Sequence, residues 1–210
     1  MSVESAIPLV AVDEDGNYSV PDETVAVLAQ ITEPVAVVSV AGPYRSGKSF
    51  LLNCLSADEA GSAKIKTSKF QVGPTVNACT RGLWLFPSTV TLDDGNGGKM
   101  RVLFVDSEGL AAIKSSEGHD VKIFSLAVLV SSLFIFNSFG AIDEQNIKKL
   151  SFITQLSKNI HLKSDKNLAE SNPTDFEDLF PKFIWVLRDF ALKLQDPKGN
   201  PLTEKQYLEE

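Results

Sequence analysis

The chain has 210 residues, of which 43% are hydrophobic and 22% charged. These proportions exclude a disordered chain, a collagen-like repeat and a disulfide scaffold, and the length fits one domain with a sizeable core. The formal charge of −7, from 20 Lys+Arg against 27 Asp+Glu, excludes a broadly basic nucleic-acid binder.

That charge is unevenly placed. Glu4, Asp13, Glu14, Asp15, Asp22, Glu23 and Glu33 precede the first basic residue, Arg45, so the whole excess belongs to the N-terminal arm. The two cysteines, Cys54 and Cys79, are too few for a disulfide framework, and Met1–Glu4 lacks a basic leader. A reducing, cytoplasmic setting is expected. Residues 123–142 carry no charge over 20 positions, long enough to span a bilayer. Ser125, Ser131, Ser132, Asn137 and Ser138 dilute that run. A buried helix running into a buried strand is the preferred reading, with no membrane segment.

In chain order, Pro8–Val12 reads as a strand. Asp22–Ile31 reads as a helix with Asp22 as its N-cap. Val35–Val40 is a β-branched run suited to a fully buried strand, and Lys48–Leu55 a helix after a glycine-rich turn. Gly82–Leu92 and Met100–Asp106 flank Asp93-Asp94-Gly95-Asn96-Gly97-Gly98, a strong hairpin signal. A largely apolar helix is expected over His119–Val130, then strands at Leu133–Phe136 and Phe183–Leu187. Asp143–Ile160 shows helical spacing of Ile147, Leu150, Ile153 and Leu156, and 163–178 reads as a polar loop. Strands separated by helix-length segments predict a three-layer α/β fold, a mainly parallel sheet with helices on both faces.

Gly42-Pro43-Tyr44-Arg45-Ser46-Gly47-Lys48-Ser49 fits G-x-x-x-x-G-K-[ST]. It sits between a predicted strand and a predicted helix, the context that gives the pattern meaning. Glycines let the backbone curl so that N–H groups face phosphate oxygens, and the helix N-terminus adds positive potential. Lys48 is placed to reach the β- and γ-phosphates, and the Ser49 hydroxyl to ligate Mg²⁺. A random chain of this size matches the pattern about one time in a hundred.

Asp106-Ser107-Glu108-Gly109 ends a predicted strand. A carboxylate there suits the hydration shell of Mg²⁺, and a glycine N–H suits the γ-phosphate; a plain strand-end turn is the rival reading. Thr80, in a loop between Gly73-Pro74 and Gly82, is a candidate switch residue whose hydroxyl completes the Mg²⁺ shell, or an ordinary loop threonine. The guanine-reading N-K-x-D tetrad is absent. Leu187-Arg188-Asp189 ends the last strand instead, and a carboxylate there suits guanine N1–H and N2–H₂, which adenine does not offer. A surface Arg–Asp pair is its bland alternative. Cys54 is expected to be a buried structural thiol. His119 and His161 lack a Cys/His cluster, so no zinc site is expected, and Trp84 and Trp185 belong to strands.

These residues resemble the guanylate-binding proteins, large GTPases of the dynamin superfamily, with the atlastins as relatives. Gly42–Leu52 (GPYRSGKSFLL) is similar to their phosphate loop and Thr75–Trp84 (TVNACTRGLW) to their switch I. Asp106–Leu110 (DSEGL), Leu126–Gly140, Phe180–Phe190 (FPKFIWVLRDF) and Pro201-Leu202-Thr203 follow in the family's order.

The resemblance implies that Gly42, Tyr44, Arg45, Ser46, Gly47, Lys48, Ser49, Phe50, Gly109, Arg188 and Asp189 bind GTP. Ser49, Thr80 and, through water, Asp106 would hold Mg²⁺. Arg45, Lys48, Thr80 and Glu108 would serve hydrolysis. Arg45 is similar to the family's internal arginine finger, which acts when two nucleotide-loaded domains dimerise face to face. Two features depart from the pattern. Ala78 stands where a water-positioning serine is usual, and 210 residues are short for the family's complete GTPase domain. The expectation is a truncated GTPase domain that binds GTP or GDP. A nucleotide-switched interaction module with little turnover, an atlastin-like membrane-remodelling enzyme and a P-loop kinase or ATPase are the alternatives.

Overall fold

The structure, a computed structural model, describes residues 4–57, 69–71, 82–107, 117–144, 146–148, 150–151 and 181–209. Its elements are β1 (Ile7–Val12), β2 (Tyr18–Ser19), α1 (Asp22–Leu28), β3 (Val35–Ala41), α2 (Lys48–Leu55), β4 (Leu83–Asp93), β5 (Lys99–Ser107), α3 (Glu117–Leu129), β6 (Leu133–Phe139), β7 (Lys182–Arg188) and α4 (Glu204–Glu209). Helical backbone also begins near 144, where the predicted helix over Asp143–Ile160 starts; most of that helix and the 163–178 loop lie outside the described residues.

Among the described residues, one seven-stranded sheet has the order β2-β1-β4-β5-β3-β6-β7. The four strands β5, β3, β6 and β7 run parallel. The other pairings, β2 to β1, β1 to β4 and β4 to β5, are antiparallel. The hairpin signal at 93–98 therefore became β4 and β5, while helix-bearing crossovers produced the parallel half.

Strand alternation separates two cores. On one face Ala41, Leu83, Leu85, Leu103, Val105, Phe134 and Phe136 pack with Ile123, Phe124, Ala127 and Val128 of α3, and Leu28 of α1 joins them. On the other face Val40, Phe86, Val102, Phe104 and Ile135 pack with Leu52 of α2 and with Phe70. Helices thus cover both faces, as the α/β reading requires. Phe124 meets Phe134 and Phe136 edge-on, at centroid distances of 5.3 and 6.0 Å. Truncating Phe124 to Ala would cost about 3–5 kcal/mol through lost burial and the cavity left behind.

The uncharged run at 123–142 resolves into the end of α3, a turn and β6; Ile123, Phe124, Ala127, Val128, Phe134 and Phe136 lie in the α3 core, while Leu129, Val130 and Phe139 are exposed. Among the described residues, no helix is long and apolar enough to cross a membrane.

Two local expectations need correction. The N-cap of α1 is Pro21, not Asp22: extended backbone at Pro21 (φ −63°, ψ 141°) leads directly into Asp22 as the first helical residue. Asp22 and Glu23 instead place negative charge in the first turn, where the helix dipole favours it. Thr24 fixes this helix by donating its hydroxyl to the Pro8 carbonyl at 2.7 Å. Cys54 is exposed, because the inward face of α2 is formed by Lys48, Leu52 and Asn53.

The acidic arm is partly spent on its own backbone. Asp13 accepts hydrogen bonds from the N–H groups of Asp15 and Asn17 and from the Asn17 amide. Glu33 pairs with Arg101 at the start of β5. His119 is not isolated: its Nδ1 lies 2.7 Å from the Tyr18 hydroxyl, with the two rings stacked.

Candidate functional site

The parallel strands end on one edge of the sheet. Register pairs Val40 with Asp106, Ala41 with Phe136, and Phe139 with Arg188. The loop after β3, the acidic end of β5, the polar end of β6 and the Arg-Asp turn after β7 are thereby neighbours. This is the edge on which open α/β sheets bind ligands.

The loop 42–47 leaves β3 and enters α2 with Gly47 as the left-handed N-cap (φ 82°). Gly42 has φ 150°, and a Cβ there would collide with the backbone carbonyl of Asn137. Glycine is needed at both ends of the loop for these reasons. Lys48 is only 6% exposed; its Nζ donates to the Pro43 carbonyl at 3.1 Å. The Ser46 N–H donates to the same carbonyl at 3.3 Å, so the loop is closed on itself. The Ser46 hydroxyl is buried and has no hydrogen-bond partner among the described residues.

Ser49, in the first turn of α2, donates its hydroxyl to Asp106 Oδ2 at 2.5 Å. Asp106 is 1% exposed. Two hard oxygen donors thus converge beside the helix N-terminus, a donor set that suits a small divalent cation. Ser107 turns the other way, donating to the Val40 carbonyl at 3.0 Å and tying β5 to β3.

Among the described residues only two non-glycine residues have positive φ, Arg45 (59°) and Asp189 (53°). Both are sequence-predicted site residues, and such backbone strain concentrates at functional sites. Arg45 is exposed on the loop rim. Asp189 is exposed just after β7, where the Arg188 carbonyl accepts the Gly140 N–H at 2.8 Å. The Arg188 guanidinium lies 5.6 Å from the centre of the Phe50 ring and fills the space where a Gly47 Cβ would sit. The base-reading candidate and the phosphate-loop candidate are therefore in contact.

The structure brings together Gly42, Tyr44, Arg45, Ser46, Gly47, Lys48, Ser49, Phe50, Asp106, Arg188 and Asp189 at this edge. Thr80, Glu108 and Gly109 lie outside the described residues, as do Ala78, Cys79 and His161. Among the described residues no cluster of His, Cys, Asp or Glu could hold a metal in the manner of a zinc site.

Sequence reasoning missed Asn137 and Asn53. Asn137 donates to the Ser46 carbonyl at 2.7 Å. Its signal was a polar residue directly after the apolar run Leu133–Phe136, one position beyond the residue paired with Ala41. Asn53 binds both backbone groups of Phe70, at 2.8 and 2.9 Å, and so pins residues 69–71 to α2.

Comparison with known proteins matches most of the chain. The family model described as "Guanylate-binding protein, N-terminal domain" matches residues 15–210. Guanylate-binding protein 1 of Chlorocebus aethiops is 36% identical over 196 residues, 92% of this chain and 31% of that protein. Guanylate-binding protein 6 of Mus musculus is 37% identical over 193 residues, covering 91% of this chain and 30% of the relative. Guanylate-binding protein 2 of Homo sapiens is 35% identical over 205 residues, 96% and 32%. The chain spans about a third of the length of these relatives. With the phosphate loop, the acidic strand end and the Arg-Asp turn on one sheet edge, the chain belongs to the guanylate-binding protein family.

Proposed function

We propose that this domain binds GTP with Mg²⁺ and hydrolyses it. The observation that carries the reading is the loop between β3 and α2, with buried Lys48 inside it and Ser49 bonded to Asp106 at its base. The relatives' name, guanylate-binding, supports guanine as the base.

In this reading Lys48 exchanges the Pro43 carbonyl for phosphate oxygens, and N–H groups at the start of α2 bind the same anion. Ser49 and Thr80 and, through water, Asp106 would hold Mg²⁺, which neutralises phosphate charge when bound. Gly109 senses the γ-phosphate and Glu108 belongs to the same strand-end segment. Asp189 accepts from guanine N1–H and N2–H₂, with Arg188 beside it. Exposed Arg45 is free to swing onto the phosphates when two loaded copies meet through the nucleotide face.

A titration of GTP and ATP with and without Mg²⁺ tests the reading. GTP should bind far more tightly than ATP, because adenine offers Asp189 neither the N1–H nor the N2–H₂ donor and leaves the carboxylate unpaired. Lys48→Ala should abolish binding. Equal affinities, or intact binding in Lys48→Ala, would sink it. Ala78, at the water-positioning place of switch I, favours a second reading: a nucleotide-switched module with little turnover. A hydrolysis rate per molecule that rises with protein concentration supports the enzyme. Tight binding without phosphate release supports the module.

A further inference from the structure

Asn137 is the polar residue that the core explains least. It is fully buried in β6, after four apolar positions. Its Nδ2–H donates to the Ser46 carbonyl at 2.7 Å, while its Oδ1 has no hydrogen-bond partner among the described residues. An asparagine fitted to satisfy a core would have both ends of its amide paired, since a buried orphan acceptor costs free energy. Here only the end that faces the loop is paired. The backbone carbonyl of Asn137 also lies directly beneath Gly42. One residue of β6 therefore holds the loop near both of its ends.

The consequence follows from peptide geometry. In a planar trans peptide the C=O and N–H point in opposite directions. Fixing the Ser46 carbonyl on the Asn137 amide aims the Gly47 N–H away from β6. Gly47 is the N-cap of α2, where backbone donors and the helix dipole favour an anion. We infer that Asn137 is a positioning residue, which orients the 46–47 peptide so that the Gly47 N–H donates to a nucleotide phosphate. The inference rests on the phosphate-loop reading above.

The test uses the isotope-labelled 210-residue chain with GDP. The wild-type Gly47 amide proton should move downfield on binding, as a charge-assisted bond to phosphate forms. In Asn137→Ala that movement should shrink and GDP affinity should fall about tenfold. Asn137→Asp is nearly isosteric and sets a carboxylate against the Ser46 carbonyl; its loss should be larger. Ser138→Ala is the control. Ser138 accepts the Trp185 Nε1–H at 2.8 Å on the opposite face of the same strand. It should lower the melting temperature and leave both the affinity and the Gly47 resonance unchanged. Wild-type affinity and Gly47 shift in either Asn137 variant would overturn the inference. So would a wild-type Gly47 amide that stays put while GDP binds. A wild type that binds no GDP overturns the phosphate-loop reading and this inference with it.

Discussion

The guanidinium of Arg188 packs over Gly47 and Phe50, so the end of β7 touches the loop after β3 and the start of α2. Gly47 is thereby constrained twice: by its left-handed φ of 82° and by the arginine that fills its side-chain space. The two constraints are separable. Gly47→Ala should destabilise the domain and weaken nucleotide binding, with the backbone part costing about 1–2 kcal/mol. The arginine is the far end of a flexible side chain and moves cheaply. Adding Arg188→Ala to Gly47→Ala should therefore recover little stability, read by denaturant unfolding of the four proteins in the cycle.

Lys48 should matter for the ligand and hardly at all for the fold. It is a nearly buried cation whose Nζ donates to the Pro43 carbonyl, and that carbonyl keeps the Ser46 N–H when the lysine side chain is removed. The melting temperature of nucleotide-free Lys48→Ala should stay within about 4 °C of wild type. The rise in melting temperature on adding GTP, which mass action gives any protein that binds only when folded, should vanish.

Ser49→Ala should act on both. It removes the hydroxyl that donates to Asp106, whose carboxylate is buried. The nucleotide-free domain should lose about 1–3 kcal/mol. Chelating Mg²⁺ should weaken GTP binding to wild type, and the affinities with and without Mg²⁺ should nearly coincide in Ser49→Ala. Parallel titrations in Mg²⁺ and in chelator check this.

Acid should weaken the N-terminal hairpin through Asp13. The side-chain hydrogen bond from Asn17, with its backbone N–H, holds the Asp13 carboxyl below its ordinary value. A carboxyl depressed on folding contributes stability above its unfolded pKa of about 4, and loses it as pH falls through the folded value. Asn17→Ala should therefore lower stability near neutrality and flatten its decline between about pH 4 and pH 2. Urea midpoints across that range for both proteins decide it.

The strands were legible because parallel strands buried on both faces must be mostly apolar, as Val35–Val38 and Leu133–Phe136 are. The loop was legible because its glycines, lysine and serine are each required locally. Contacts set by register were not. Nothing in the order of residues says that Asn137 lies under Gly42, or that Arg188 reaches Phe50; both follow from β6 and β7 aligning beside β3. Cys54 was misplaced for a related reason: the face of α2 that turns inward is selected by Asn53 gripping Phe70, a contact between distant residues.

The β4–β5 hairpin offers a practical opening. Its turn joins Asp93 to Lys99, and Asp106, at the acidic end of the site, is the eighth of the nine residues of β5. At about 3.3 Å per residue that places the turn roughly 25 Å from Asp106. Gly95 and Gly97 there face open space. A fluorophore or a short peptide grafted onto this turn would ride on the same strand as the Asp106 carboxylate without entering its surroundings. The molecule thus carries a built-in handle for immobilisation or distance measurement, at the end of the sheet remote from its chemistry.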